Sequence, residues 1–425
     1  MQTLAVEPED NFMRYRRFLF SLVAPMLVLI MVVISSGAQA SKFKVLHTFA
    51  GGNDGEAPTA PPTLDRAGNV YGTTAEAGNG TGCTNGCGTV FQLQPFGMQW
   101  RERILYSFSD PSGSPIYSNG PLVLDANGKL YGTSAQGGDL SCNCGFVYEL
   151  VRSSTGWTEN VIHTFLGSNA ADGSNPYSGV VRDKAGNLYG TTNDGGNSGT
   201  QWGTVFELTP NADGTWTESI IYGFPTYTQG IFPYALTMDA KGNLYVTASQ
   251  GGVYGNGTII KLALSGGVWT ETTLYAFTGG DNGSFPFTGA VPDVAGNLYG
   301  TTSSGGDDTV GNVFKLTPAK GYWNFSTVYN FTGGHDGGLP NSTLTMDQAG
   351  DLYGTTQAGG AYQYGTVYKL ALSSGKWVET VLHSFTGGSD GAYPAGIVLD
   401  SSGNLFGTAN SGGAHNFGTV FEITP

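Results

Sequence analysis

Carboxylates that recur at a fixed place in a chain are the first residues to weigh, because converging side-chain oxygens can hold a hard cation or move protons. An Asp-Gly pair with a proline three residues beyond the glycine occurs at Asp54, Asp172, Asp336 and Asp390, ahead of Pro58, Pro176, Pro340 and Pro394. Asp281-Asn282-Gly283 with Pro286 is a variant, and Gln229 stands in the same place once. Gathered on one face, these oxygens would suit Ca2+, which wants six to eight of them. No single loop supplies enough, and Asp-Gly before proline is also ordinary turn chemistry. The expectation is therefore no required cofactor, with Ca2+ the candidate ion at Asp54, Asp172, Asp281, Asp336 and Asp390.

Aromatic side chains share these loops. Trp202, Tyr364 and Phe417 immediately precede the glycine of a GTV-type block, and Tyr177, Phe232, Phe285 and Tyr393 adjoin the loop prolines. Flat rings among Asp, Asn and Gly groups can stack on sugar rings, although they can also pack one repeat on the next. The four cysteines fall in two loops of one type, Cys83 and Cys87 in CTNGC, Cys142 and Cys144 in CNC. In an exported chain they are read as disulfides Cys83–Cys87 and Cys142–Cys144, with a bridge between loops or a zinc site as alternatives. His47, His163 and His383 take a place where other repeats have tyrosine and so read as packing residues; only His335 and His415 lie in the long loops. No nucleophile elbow, zinc-protease helix or phosphate loop accompanies them.

The elements that must position these residues come from repetition. An apolar strand follows a tight turn seven times, centred on Tyr71, Tyr131, Tyr189, Tyr245, Tyr299, Tyr353 and Phe406. A GTVFEL-type block follows each, and a block running from a tryptophan to a phenylalanine eight residues on, such as Trp100 to Phe108, closes each period but the last. The missing copy stands at the other end of the mature chain, Ser41 to Phe49. Four short strands per period of about fifty residues is the pattern of a propeller blade. The expectation is an all-β, seven-bladed β-propeller with four-stranded blades, its ring closed by the N-terminal strand completing the last blade. Asp65, Asp125, Asp183, Asp239, Asp293, Asp347 and Asp400, each three residues before a glycine, read as structural turn residues.

With 68 glycines in 425 residues yet 39% hydrophobic and 12% aromatic side chains, the chain is turn-dense rather than disordered. Residues 1–40 carry Arg14, Arg16 and Arg17, an apolar run from Phe18 to about Ile34, and Ala38-Gln39-Ala40, the three parts of a signal peptide, with an uncleaved anchor as the alternative. Residues 41–425 then form the propeller domain. The leader's acids and bases cancel, so the net charge of -14 stays with the body. Such a body is expected to avoid nucleic acid and anionic lipid, leaving the membrane reachable only through the N-terminal segment.

The repeated GNLYGTT, GG, GTVFEL and VLHSFTGG blocks, from Lys42 to Pro425, resemble the GloVer tandem-repeat proteins, exported bacterial proteins described as having a choice of anchor. The resemblance implies an extracytoplasmic repeat domain and supplies no catalytic residues. The DxxGNLY turn also looks like that of lactonase-like and lyase-like propellers, but a shared turn is not a site. Anchoring through a C-terminal sorting tail is not expected. The reading is an exported binding or interaction module, periplasmic, cell-surface or secreted, whose partner is an extracellular glycan or protein. The alternatives are a polysaccharide lyase or hydrolase with paired acids at the channel mouth and a structural surface protein.

Overall fold

Each repeat alternates short apolar runs with turns that aspartate and glycine close, which forces short antiparallel strands. In the computed structural model the described residues are 41–109, 120–138, 141–167, 172–196 and 202–425. The expected leader over residues 1–40 lies outside them. Ser41–Pro425 forms one unit, an all-β ring of seven antiparallel sheets. Blade one runs from Thr63–Leu64 at the inner edge through Val70–Thr74 and Thr89–Phe96 to Gln99–Ser107 at the outer edge, and the next blades repeat that order. Blade six splits its inner rank into Gly338–Pro340 and Thr345–Met346, both paired with Leu352–Ala358. Blade seven joins Ala392–Leu399, Leu405–Ser411 and Thr419–Thr424 to Lys42–Thr48, with Lys42 opposite Thr424. The orphan strand thus closes the ring by covering Thr419–Thr424, so blade seven ends on an outer strand as the other blades do.

The outer strands end one residue earlier than the sequence pattern implies, at Ser107 rather than Phe108 and at Thr48 rather than Phe49. The phenylalanine leaves the ladder because its N–H turns to the carbonyl of the glycine that opens the third strand, 3.1 Å for Phe108 to Gly88 and 3.0 Å for Phe49 to Gly418. Its ring then drops between blades and is fully buried. There it meets the next blade's third-strand ring edge-on: Phe49 with Phe91 at 5.2 Å, Phe277 with Phe314 at 5.1 Å and Phe331 with Tyr368 at 5.0 Å. The third-strand ring in turn crosses the glycine of the second strand so closely that a Cβ on Gly300 would lie 2.6 Å from Phe314 Cζ. Blade four solves the same problem differently, with Val246 in place of the glycine and Ile260 in place of the ring, both buried.

Outer-strand tryptophans seal the same joints nearer the turns. Trp216 lies edge-on to Tyr131 of the preceding blade at 6.0 Å, and Trp377 to Tyr299 at 6.1 Å. The turn aspartates hold the second strand's tyrosine from the other side. Asp65 accepts from the N–H groups of Ala67 and Asn69 at 2.8 and 2.9 Å and from the Tyr71 hydroxyl at 3.0 Å. Burial alone would raise its carboxyl, but these donors together outweigh it and leave it below the ordinary value.

Candidate functional site

Two loop types meet on one face. The loop from each outer strand to the next blade and the loop from second to third strand are tied together by backbone bonds, Gly252 N–H to Tyr227 O at 2.7 Å and Gly360 N–H to Gly334 O at 2.7 Å. The aspartate turns and the hairpins between third and fourth strands occupy the opposite face. Among the described residues no lysine or arginine stands in a loop of the first face. Its charges among the described residues include Asp54, Glu56, Glu76, Asp172, Asp194, Asp307, Asp308, Asp336 and Asp390. Glu56 and Glu76 stand side by side, where burial first, then the shared hydrogen bond and the second carboxylate, raise the Glu56 carboxyl.

The loop aspartates serve their own loops. Asp54 accepts from Ala50 N–H at 2.7 Å and faces His47 Nε2 at 3.1 Å; Asp390 accepts from Thr386 N–H at 3.0 Å and faces His383 at 3.0 Å. Asp336 accepts from Thr332 N–H at 2.8 Å and from the Tyr329 hydroxyl at 3.1 Å, and Asp172 lies 3.4 Å from His163. In blade five the equivalent slot, seven residues after the outer-strand aromatic, belongs to Asn282 and not to Asp281; Asn282 donates to Thr278 Oγ1 at 2.9 Å. The aspartates remain on separate blades, and among the described residues no three His, Cys, Asp or Glu side chains are grouped to hold a metal.

Beside each of these aromatics lies a residue of the next blade's outer strand that sequence reading did not single out. Glu159 accepts from the Tyr106 hydroxyl at 3.0 Å, and Glu102 and Glu379 carry carboxyls pushed up to about 7, by burial first and then by the charges of Asp54 and Asp336 respectively. Where glutamate is missing a phenylalanine stacks instead, Phe43 on His383 at 3.7 Å and Phe325 on Tyr275 at 4.7 Å. A position that exchanges acid for arene without altering the joint is a packing position. It still titrates. A carboxyl that holds its proton more tightly folded than unfolded costs stability as pH rises from its ordinary value toward the folded one. The protein is therefore expected to resist urea better near pH 5 than near pH 8. Glu379→Gln should raise stability at the higher pH by on the order of 1 kcal/mol once solvent screening is allowed for. Equal pH slopes of the urea midpoint in variant and parent would contradict this.

The aromatics divide into three positions. Trp202, Tyr364 and Phe417 fill a slot that holds Cys87, Cys144, Asn256 or Val310 in other blades; Phe417 lies on Gly51 and Tyr364 on Gly387 of the adjoining loop, whereas Trp202 meets Tyr227 edge-on at 6.3 Å. The carbonyl of this slot accepts an N–H from the next blade, Trp202 O from Phe232 at 3.1 Å and Tyr364 O from Tyr393 at 3.0 Å. Phe232, Phe285 and Tyr393, just before the prolines, are all left-handed, with φ of 56°, 55° and 55°. That backbone is unfavourable for a side chain with a Cβ, and the bond to the preceding blade holds it in place. Tyr177 belongs to the third position, just after the proline, with Tyr234 and Phe287 on the next two blades. Tyr177 stacks on Tyr234 at 5.7 Å and Tyr234 meets Phe287 edge-on at 5.2 Å. Asn341 follows on the next blade, its side-chain oxygen buried without a hydrogen-bond partner. Aligning the repeats on the loop proline would have shown Tyr234 and Phe287. The four residues form an arc at the inner edge of the ring, where long loops pass into first strands.

Disulfides join Cys83 to Cys87 and Cys142 to Cys144, with Cα atoms 5.3 and 5.2 Å apart. They close the second-to-third-strand loops of blades one and two, and such bonds persist in oxidising compartments. No helix among the described residues is long and apolar enough to cross a membrane.

The sequence profile of the Gloeobacter/Verrucomicrobia repeat matches residues 122–323 and 232–425. Among curated proteins, none matches the chain significantly. Of the solved structures, a protein provisionally assigned as a 6-phosphogluconolactonase from Bacteroides uniformis is similar with a TM-score of 0.52 and 13% identity, over 80% of this chain and 89% of that one. At that identity the likeness speaks to the fold alone. The extracellular domain of a provisionally assigned hybrid two-component system from B. thetaiotaomicron aligns with a TM-score of 0.49 and 12% identity, over 89% of this chain and 39% of that one.

Proposed function

The chain belongs to the Gloeobacter/Verrucomicrobia repeat family, and from that premise we propose that it is an exported binding propeller whose arc of Tyr177, Tyr234, Phe287 and Asn341 takes an extracellular glycan. The observation that carries this reading is the run of three ring faces on consecutive blades beside an amide oxygen that lacks a donor. Stacked and edge-on rings present apolar surface to the C–H faces of a sugar, and an unpaired buried acceptor gains from a ligand hydroxyl. The charge of the face narrows the class. A surface rich in carboxylates and without a lysine or arginine repels uronic acids and sulfated chains. Neutral or amine-bearing oligosaccharides are its counterpart.

A glycan array that sets neutral, amine-bearing and acidic oligosaccharides side by side tests this. Binding is expected in the first two groups, weakened about tenfold or more by Tyr234→Ala, in keeping with loss of a central aromatic anchor. Binding that survives Tyr234→Ala and Phe287→Ala unchanged would move the site elsewhere. A blank array would favour a protein partner.

A further inference from the structure

The face opposite the long loops has a different chemistry. Its hairpins carry exposed apolar tips: Met98 is 91% exposed, Phe96 70%, Val268 65%, Tyr322 62% and Leu372 58%. These belong to blades one, four, five and six, whereas the hairpins of blades two and three are polar, Ser153-Ser154-Thr155 and Asn211-Ala212-Asp213. Blade seven lies inside the apolar arc, and there the propeller begins, at Lys42 opposite Thr424. The apolar run Phe18 to about Ile34 thus precedes, by only a few residues, a strand that starts on this face. Cations gather here too. Lys320, Lys376 and Arg101 stand at the hairpins of blades five, six and one, with Lys42 at the paired chain ends of blade seven between them, and the Arg101 guanidinium lies 5.9 Å from the Phe96 ring centre.

We propose that the hairpin face of blades four to seven and one rests on a lipid bilayer surface, with the apolar tips in the interface and the cations at phosphate level. Apolar residues beside lysine or arginine are the composition that interfacial binding uses. Net charge argues against anionic lipid only for a body whose charge is evenly spread. In this ring the described long loops hold carboxylates without a lysine or arginine, whereas the turn aspartates on the hairpin face are interspersed with lysine and arginine, so the excess negative charge points away from the bilayer. The arrangement would leave the aromatic arc facing outward.

The test places a single added cysteine, bearing an environment-sensitive fluorophore, at Met98→Cys or Val268→Cys, with Ser154→Cys on a polar hairpin and Tyr362→Cys on the long-loop face as controls. The native cysteines are held in disulfides. The full chain is reconstituted in mixed phosphatidylcholine and phosphatidylglycerol vesicles and challenged with a quencher confined to water. Probes at 98 and 268 should be shielded severalfold relative to those at 154 and 362. Carrying Phe96→Ser, Tyr322→Ser and Leu372→Ser together, all exposed positions whose change leaves the core intact, should remove the shielding at 268. Equal quenching at all four positions, or shielding at 268 that the serine variant retains, would overturn the proposal, the latter pointing to a protein or polymer cover in place of lipid.

Discussion

Gly300→Val is expected to destabilise the propeller by about 3 kcal/mol, the upper part of the range for forcing bulk into a packed core. Nothing about the backbone demands glycine there, since Gly300 is absent from the positive-φ glycines. The demand is steric: its Cβ would lie 2.6 Å from Phe314 Cζ and 2.9 Å from Phe314 Cε1. Phe314 cannot retreat, because Phe277 of the preceding blade and Phe325 of its own crowd its other sides at 5.1 and 6.0 Å. Blade four supplies the compensation, with Val246 and Ile260 paired across the same two strands. The double variant Gly300→Val with Phe314→Ile should therefore recover most of the loss, to within about 1 kcal/mol of the parent. Urea midpoints of the two single variants and the double decide the matter. Additive losses would mean that the two residues do not form one packing unit.

Phe49→Ala should cost about 4 kcal/mol, within the range for emptying a fully buried phenylalanine site. Its consequence differs from that of Phe331→Ala, although both rings are buried and meet the next blade edge-on at similar distance. Phe331 ends a strand continuous with its own blade. Phe49 ends the strand that joins the two ends of the chain, and its N–H holds Gly418. Weakening it should free Lys42–Thr48 from Thr419–Thr424 before the rest of the ring loosens. Hydrogen exchange should then show early loss of protection in those two strands for Phe49→Ala and not for Phe331→Ala. Loss spread evenly over the blades in both variants would mean that closure is no weaker than any other joint.

What the sequence disclosed and what it concealed follow from how each feature is written along the chain. Tyr71 and its six counterparts, the turn aspartates and the orphan strand all recur at a near-constant interval, so counting finds them, and the ring, the blade order and the closure follow. The loop positions required register as well as interval. Acidity aligns Asp281 with the loop aspartates, yet Asn282 holds the place, and nearness to the proline groups Tyr177 with Phe232, yet the proline separates their positions. The same ambiguity of register conceals Tyr234 and Phe287. Glu102 and Glu379 were hidden differently, because their partners His47 and Tyr329 belong to neighbouring blades and no spacing within one repeat reveals a joint between two. The division of charge was visible in every loop, but a single net figure sums across the faces and erases it.

That division makes the ring a permanent dipole directed along its axis, with the negative pole at the long loops. Near a negatively charged surface such a body experiences torque as well as repulsion. Within roughly 8 Å, the screening distance at physiological salt, the torque turns the hairpins inward before any side chain touches. Orientation then precedes contact. A ligand carrying positive charge meets the opposite pole and is drawn to the mouth of the ring from the solvent side, so a single asymmetry in where lysine and arginine are permitted would sort what reaches each end of the molecule.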